Sequence, residues 1–524
     1  MTDSAGSLRG RTWIVLAIIG AVVQLGLLWG TSIPLGVPGE WAWPRFEWSA
    51  PILWTAMPAV IWGLLFFTVV LRTSNRLLTA SPRSVPIWLI GMWIGGTIWL
   101  FCLMSSIPGI GGLSRGPFVL YYTRTSGYFL QAREINDLGE FLQTYDERIA
   151  DSTVAENYLH LGTHPPGLTI SLYLLQQLCR NVPLIEDVAL ATQPTAIRDS
   201  LAIIQLNAAQ SGKSFDEADA AALWLATAFV TICAAGTVCP LFLLIRRNCD
   251  ADTAWIGAAC WLLVPAVTIF LPKSDALFPF LAMWIQWLWL KTLDRRSIRY
   301  GFATGFVLLF SVLLSLAFLP LGLILILQFF LHRNESTLDG DAEWTAQSWR
   351  AWRAGLATAA MFLGLLGMLS WWSGLNLPAV FVQNLRNHAA FYDHNHRSSI
   401  PWLVVNPFEL LFSLGLPLAI AAVMALPILL RDWTRHRDLL PAVLVWTILW
   451  LSGKNMGEAA RLWIFLMPYF VWLASLTIAR LRASTERDEN RTCAIWLMLQ
   501  ALVCLGTVLA IDGFGFSEVA QLAG

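Results

Sequence analysis

The sequence predicts an all-α polytopic membrane protein with about 13 transmembrane helices and a large extracytoplasmic loop carrying interfacial helices. Three observations predict it. The 524 residues are 56% hydrophobic and only 13% charged. The apolar residues come in blocks of roughly 18 to 25, the length that crosses a bilayer's hydrocarbon. Tryptophan recurs near block ends, at Trp41, Trp43, Trp402 and Trp463, where interfacial anchoring puts it.

Taken in order, the spans fall near residues 12 to 31, 51 to 71, 86 to 104, 220 to 245, 254 to 271, 276 to 293, 301 to 314, 316 to 331, 355 to 373, 408 to 430, 439 to 452, 461 to 479 and 493 to 512. The first follows Arg9 and Arg11 as a signal peptide's apolar core would, but it is long and lacks a small-residue cleavage site, so it reads as a retained span. The chain divides into a three-span region (1–104), an extracytoplasmic loop with interfacial helices (105–219) and a helical bundle (220–524). With the N-terminus inside, 21 of the 34 basic residues fall on the cytoplasmic side, which fits the positive-inside rule and sets the orientation. The apolar stretch 168–179 is too short to cross; a full crossing would also throw Arg246 and Arg247 outside. It is expected to lie at the interface or to re-enter.

Net charge is zero, and no basic tract marks a nucleic-acid partner. The lipid bilayer is the partner the composition implies. Eight cysteines, most of them inside apolar blocks, show neither metal-type spacing nor a paired framework. They read as small buried hydrophobes.

Polar groups gathered beside long spans are where chemistry is expected, because hydrocarbon penalises them unless they are paired or used. Four outer stretches qualify. In the long loop, Glu134, Asp137, Glu140, Asp146, Glu147, Asp151 and Glu156 precede His160 and the sequence THPPG. A loop rich in acids is ordinarily a solvated surface; its functional reading is a general base, or a carboxylate holding a divalent metal, magnesium or manganese, against a phosphate. Pro165 and Pro166 mark a helix start with His164 just before it. Next, LPKSDALF sets Lys273, Ser274 and Asp275 in a tight turn between two spans. The third stretch, NHAAFYDHNHR, packs His388, Asp393, His394 and His396 together as candidate metal ligands, though without a disciplined spacing. Finally, SGKNMGEAAR brings Lys454, Glu458 and Arg461 to the start of a span. Glu458 and Arg461 share a helix face, and an arginine beside free helix N-terminal amides suits a phosphate at headgroup level. An ordinary interfacial salt bridge is the plainer account of that pair.

In their order and common side, these motifs resemble the membrane-embedded glycosyltransferases of the C fold, nearest to the protein mannosyltransferase and aminoarabinose transferase branch. His164, Pro165 and Pro166 match the family's (H/K)PP element and Asp275 its acidic turn, over roughly residues 115–300. The family's acidic pair is missing around Tyr128, where Arg124 and Thr125 stand instead, so the resemblance leaves Glu134 or Asp137 as catalytic base. It implies a polyprenyl-phosphate sugar donor, an acceptor the sequence does not name, and transfer at the outer face of a bacterial inner membrane, with His164, Lys454 and Arg461 offsetting charge on the leaving phosphate. A transporter or lipid flippase, or a non-catalytic scaffold, are the competing readings; against the first stand the lack of an internal repeat and the scarcity of mid-span charge.

Overall fold

A computed structural model describes residues 2–47, 54–77, 84–151, 159–334, 343–483 and 489–515. Helices dominate it. Among the described residues the sheet content is one two-stranded hairpin, Gly36–Val37 with Trp41–Ala42. The chain is an all-α membrane protein: eight helices are long and apolar enough to cross a bilayer, and a bent pair makes a ninth if counted as one span. Backbone groups in hydrocarbon must bond within their own segment, so apolar runs of this length become helices.

The eight are Thr12–Gly30, Met57–Ser74, Val85–Ser105, Glu217–Ile245, Ser274–Arg295, Trp349–Ser373, Ile464–Arg482 and Arg491–Ala510. Three further sequence-predicted spans appear as shorter apolar helices, Ile298–Leu314, Leu316–His332 and Leu440–Leu451. The segment expected at 254–271 is broken into Ala251–Cys260, a 3-10 turn Trp261–Leu263 and Pro265–Ile269. Pro265 lacks the amide needed to continue the helix, and the pieces survive because protein buries them on all sides. The span placed at 408–430 is also revised. Ser399–Leu414 and Leu416–Arg431 meet at 114° around Gly415, whose φ is +90°.

Close packing locks the bundle. In the sequence GFATG, a Cβ on Gly301 would stand 2.5 Å from the Ala354 carbonyl oxygen, and one on Gly305 2.4 Å from that of Thr358. Small residues four apart let the helix Ile298–Leu314 touch the backbone of Glu343–Ser373, the contact that drives association where lipid is as apolar as the side chains.

One continuous core runs from Trp13 to Ile511 and takes in Phe118, Tyr128, Leu161 and Ile197 of the long loop. A second, smaller core joins Ile135, Phe141, Tyr145 and Ile149 of that loop to Leu375, Leu377 and Val380. Arg115 ties the loop down. Fully buried, it donates to the carbonyl oxygens of Leu271 at 2.8 Å, Gly111 at 3.1 Å and Thr268. The helix Gly167–Asn181 follows the two prolines as expected, and at 15 residues it is too short to span.

Ion pairs sort the connections into two groups. Arg133 and Arg180 bond Asp219, and Arg461 bonds Glu458, on the face that carries the long loop. Arg247 bonds Asp294 and Asp438, His332 pairs with Asp438, and Arg482 bonds Asp252, all in segments that the charge pattern assigns to the other side. Among the described residues every inter-loop ion pair joins segments that the charge pattern assigns to one side.

Candidate functional site

The site is assembled from four separate stretches. The turn after Pro265–Ile269 is closed by the Lys273 amide donating to the Phe270 carbonyl at 2.8 Å, and a 3-10 turn Ser274–Leu277 follows. This geometry turns both Lys273 and Asp275 inward, 4% and 7% exposed. The Lys273 ammonium is buried without a hydrogen bond. Burial, and Arg461 beside it, pull its pKa down to about 7, against the opposing pull of Asp275 and Glu458.

Gly453, Asn455, Gly457 and Glu458 all have positive φ. Asn455 and Glu458 hold that conformation without glycine's freedom, a strain of about 1–3 kcal/mol each that surrounding contacts must offset. Those contacts are specific: the Met456 amide donates to the Tyr392 hydroxyl at 3.1 Å, and the Asn406 side chain donates to the Asn455 carbonyl at 3.3 Å and accepts from the Gly457 amide at 3.4 Å. The coil presents Glu458 and Arg461, paired at 2.9 Å. Arg461 is 9% exposed, so the pair is more than a surface bridge. The expected free amides are absent. Ala459–Leu462 is a single turn, and the Ala460 amide already donates to Glu409 Oε1 at 3.0 Å.

The histidine-proline turn is held by groups that hydropathy does not reveal. Asn384 donates to the carbonyl oxygens of Gly162 at 2.8 Å and His164 at 3.2 Å. Asn387 donates to those of Ile149 at 2.8 Å and Gly162 at 2.7 Å, and the Tyr145 hydroxyl to that of His164 at 2.9 Å. So fixed, the His164 ring meets the edge of Tyr128, centroids 5.8 Å apart. Tyr128 in turn lies within electrostatic reach of Asp275 and Arg461; burial first, then Asp275, raises its hydroxyl pKa well above the ordinary value.

His164, Asp275 and Arg461 therefore neighbour Tyr128, with Lys273 and Glu458 beside Arg461. Lys454 is exposed and sits beside His388 rather than inside the cluster. Glu134 and Asp137 are exposed too. Asp137 is engaged in capping the short helix Leu138–Gln143, accepting from Gly139 at 2.7 Å and Glu140 at 3.0 Å. His388 bonds Asn455 and His396 faces Glu40. The side chains of Asp393, His394 and His160, and all of Glu156, lie outside the described residues. Among the described residues no three His, Cys, Asp or Glu groups gather as metal ligands.

Sequence reasoning missed Tyr128, Asn384, Asn387, Arg115 and Glu409. Two asparagines three apart on one helix face were a usable signal, as was a lone arginine in SRGPFVLYY. Tyr128 gave none. No family model matches the chain, and no curated protein matches it.

Proposed function

We propose that this chain is a glycosyltransferase that moves a sugar from a polyprenyl-phosphate donor to an acceptor at the outer face of a bacterial cytoplasmic membrane, as a divergent C-fold enzyme with thirteen crossings and its N-terminus inside. One observation carries the reading. A buried ammonium with no hydrogen bond, Lys273, stands beside a buried guanidinium, Arg461, and a buried carboxylate, Asp275. Such an arrangement stays costly until an anion joins it.

The chemistry follows from the charges. The acceptor hydroxyl oxygen attacks the anomeric carbon, the bond from that carbon to the phosphate oxygen breaks, and the polyprenyl phosphate leaves. Asp275 takes the hydroxyl proton, because Glu134 and Asp137 are exposed and Asp137 is spent on its cap. Lys273 and Arg461 offset the charge growing on the departing phosphate, with His164 beside Tyr128 at the edge of the cluster. Donors fixed in advance in a dry site are the largest contribution in many transfers of this kind. Glu458 orients the Arg461 guanidinium.

The test is transfer from a synthetic prenyl-phosphate sugar by purified protein, together with mass spectrometry of cell-envelope glycans with and without the chain. Asp275→Asn should lower transfer by about 100-fold or more, and Arg461→Ala should raise donor KM, with both variants folded. Full transfer by both variants, or lipid flux without any new glycosidic bond, overturns the reading.

A further inference from the structure

A polar cleft opens at the end of the bundle remote from Lys273, and the transfer chemistry leaves it unused. Asp275 and Asp294 sit near opposite ends of the helical segment Ser274–Arg295, about 28 Å apart at 1.5 Å per residue. The cleft belongs to the Asp294 end. About 520 Å³ in volume, it is lined by Arg247, Asn248, Thr434, Arg435, Arg437 and Asp438, none of them apolar. It lies where the helix Glu217–Ile245 ends and where the chain passes from Leu416–Arg431 to Leu440–Leu451.

Its walls are held from behind. The Trp472 indole donates to Asn248 Oδ1 at 3.0 Å, while Asn248 Nδ2 donates to the Arg435 carbonyl at 3.2 Å and lies 3.3 Å from His436 Nδ1. Further along, the Asp438 carbonyl accepts from the fully buried Gln328 at 2.6 Å. A plain connection between two helices needs no such anchoring. A binding site gains from it, because groups already fixed lose less freedom when a ligand arrives.

The charges favour an anion. Arg247 spends Nε on Asp438 Oδ2 at 2.6 Å and its two terminal nitrogens on Asp294 at 2.5 and 3.0 Å, while Asp438 Oδ1 meets His332 Nε2 at 3.1 Å. All four oxygens of these two carboxylates are thereby engaged, and Arg435 and Arg437 add two further guanidiniums to the same lining. Arg246 and Arg480 strengthen the positive potential around it, against the exposed Asp432 and against Asp250, which caps a helix by accepting the Thr253 amide at 2.7 Å. Arg437 is half-buried, and burial lowers its pKa despite the pull of Asp438, so its charge gains from an added anion.

Guanidinium forks match the oxygens of phosphate, and a hydroxyl supplies one more donor. We propose that this cleft binds a phosphate-ester anion, with Arg435 and Arg437 pairing with its oxygens and the Thr434 hydroxyl donating a further hydrogen bond. The surroundings favour a phospholipid headgroup as the source. Leu430 is 64% and Trp433 45% exposed on the same stretch, the composition found where headgroups meet acyl chains, and basic pockets between helix ends take anionic headgroups elsewhere. The site is distinct from the anion position at Lys273 and Arg461 and does not depend on sugar transfer.

The test places the full chain in phosphatidylcholine nanodiscs that hold a small fraction of phosphatidylglycerol, and native mass spectrometry counts the lipids the protein keeps. Phosphatidylglycerol should be enriched about tenfold or more. Arg435→Gln combined with Arg437→Gln should abolish the enrichment. Arg299→Gln combined with Arg431→Gln removes the same charge from exposed arginines outside the cleft and should leave it unchanged. Arg435→Gln alone, at an exposed side chain, should lower it about fivefold and serves if the double variant fails to fold. Titration of lipid-free protein in micelles with glycerol phosphate and with inorganic phosphate tests the soluble source. Binding there that the cleft variant loses and the matched variant keeps, without lipid enrichment, supports the phosphate site and moves its source to solution. Absence of both enrichment and titratable binding, or equal losses in the two double variants, overturns the proposal. None of these results bears on glycan transfer, so the two readings fail separately.

Discussion

The side-chain amide of Asn387 donates to the carbonyl oxygen of Gly162 at 2.7 Å across 225 residues of sequence. Through it and Asn384, the helix Leu377–His394 grips the turn that carries His164. Asn387→Ala removes two buried hydrogen bonds, to the carbonyls of Ile149 and Gly162, and should cost about 1–3 kcal/mol. A lower Tm of the purified protein, with faster amide exchange at 162–164 than in the rest of the loop, is the expected result. A uniform rise in exchange would show that the asparagine supports the whole loop instead.

Much of the fold was legible because hydrocarbon leaves a chain few choices: eight of the expected spans coincide with helices long and apolar enough to cross and three with shorter apolar helices, and the helix after His164 begins at the two prolines. Hydropathy is blind to direction, however, and so does not show the bend within 408–430. The sequence SLGLPL carries the stop, a glycine at positive φ followed by a first-turn proline. A Cβ on Gly415 would stand 2.3 Å from Gln500 Nε2. In the site, Asp275, His164, Glu458 and Arg461 were readable as polar residues in outer stretches beside long spans. Tyr128 was not, since its role comes from neighbours that only the tertiary fold brings together.

Asp438 holds the opposite face. Its carboxylate accepts from Arg247 Nε at 2.6 Å and meets His332 Nε2 at 3.1 Å, while its carbonyl accepts from Gln328 at 2.6 Å. Asp438→Asn removes the anion and leaves Arg247 facing Asp294 alone, so a loss of about 3–5 kcal/mol is expected. The variant should unfold at lower denaturant, whereas Asp294→Asn, at a more exposed carboxylate, should cost less. Equal effects of the two would contradict the ranking by burial.

Sidedness can be read chemically. Lys454 and Arg435 are both exposed, and the proposed topology sets them on opposite faces. With single cysteines placed at each, a membrane-impermeant maleimide added to intact cells should label Lys454→Cys at once and Arg435→Cys only after permeabilisation. The reverse order would invert the proposed topology and move the whole cluster to the cytoplasm.

Lys273 gives the protein a pH signature. Its pKa in the fold is about 7, against 10.5 for a free lysine, because burial disfavours the charge. Between these values the unfolded chain holds a proton that the folded chain does not, so stability should rise with pH from about 7 to about 10, by up to about 1.4 kcal/mol per unit. Below 7 both states are protonated and this contribution is flat. Lys273→Met should be more stable than the parent near neutrality and should lack the rise; melting curves across the range decide it. Anion binding runs the opposite way, since only the ammonium attracts a phosphate. A prenyl phosphodiester, whose own charge is constant over this range, should therefore bind up to about tenfold more weakly per unit above pH 7. In Lys273→Met its binding should be weak at every pH. Pronounced pH dependence that survives the substitution would assign the titration to another group and remove Lys273 from the anion site.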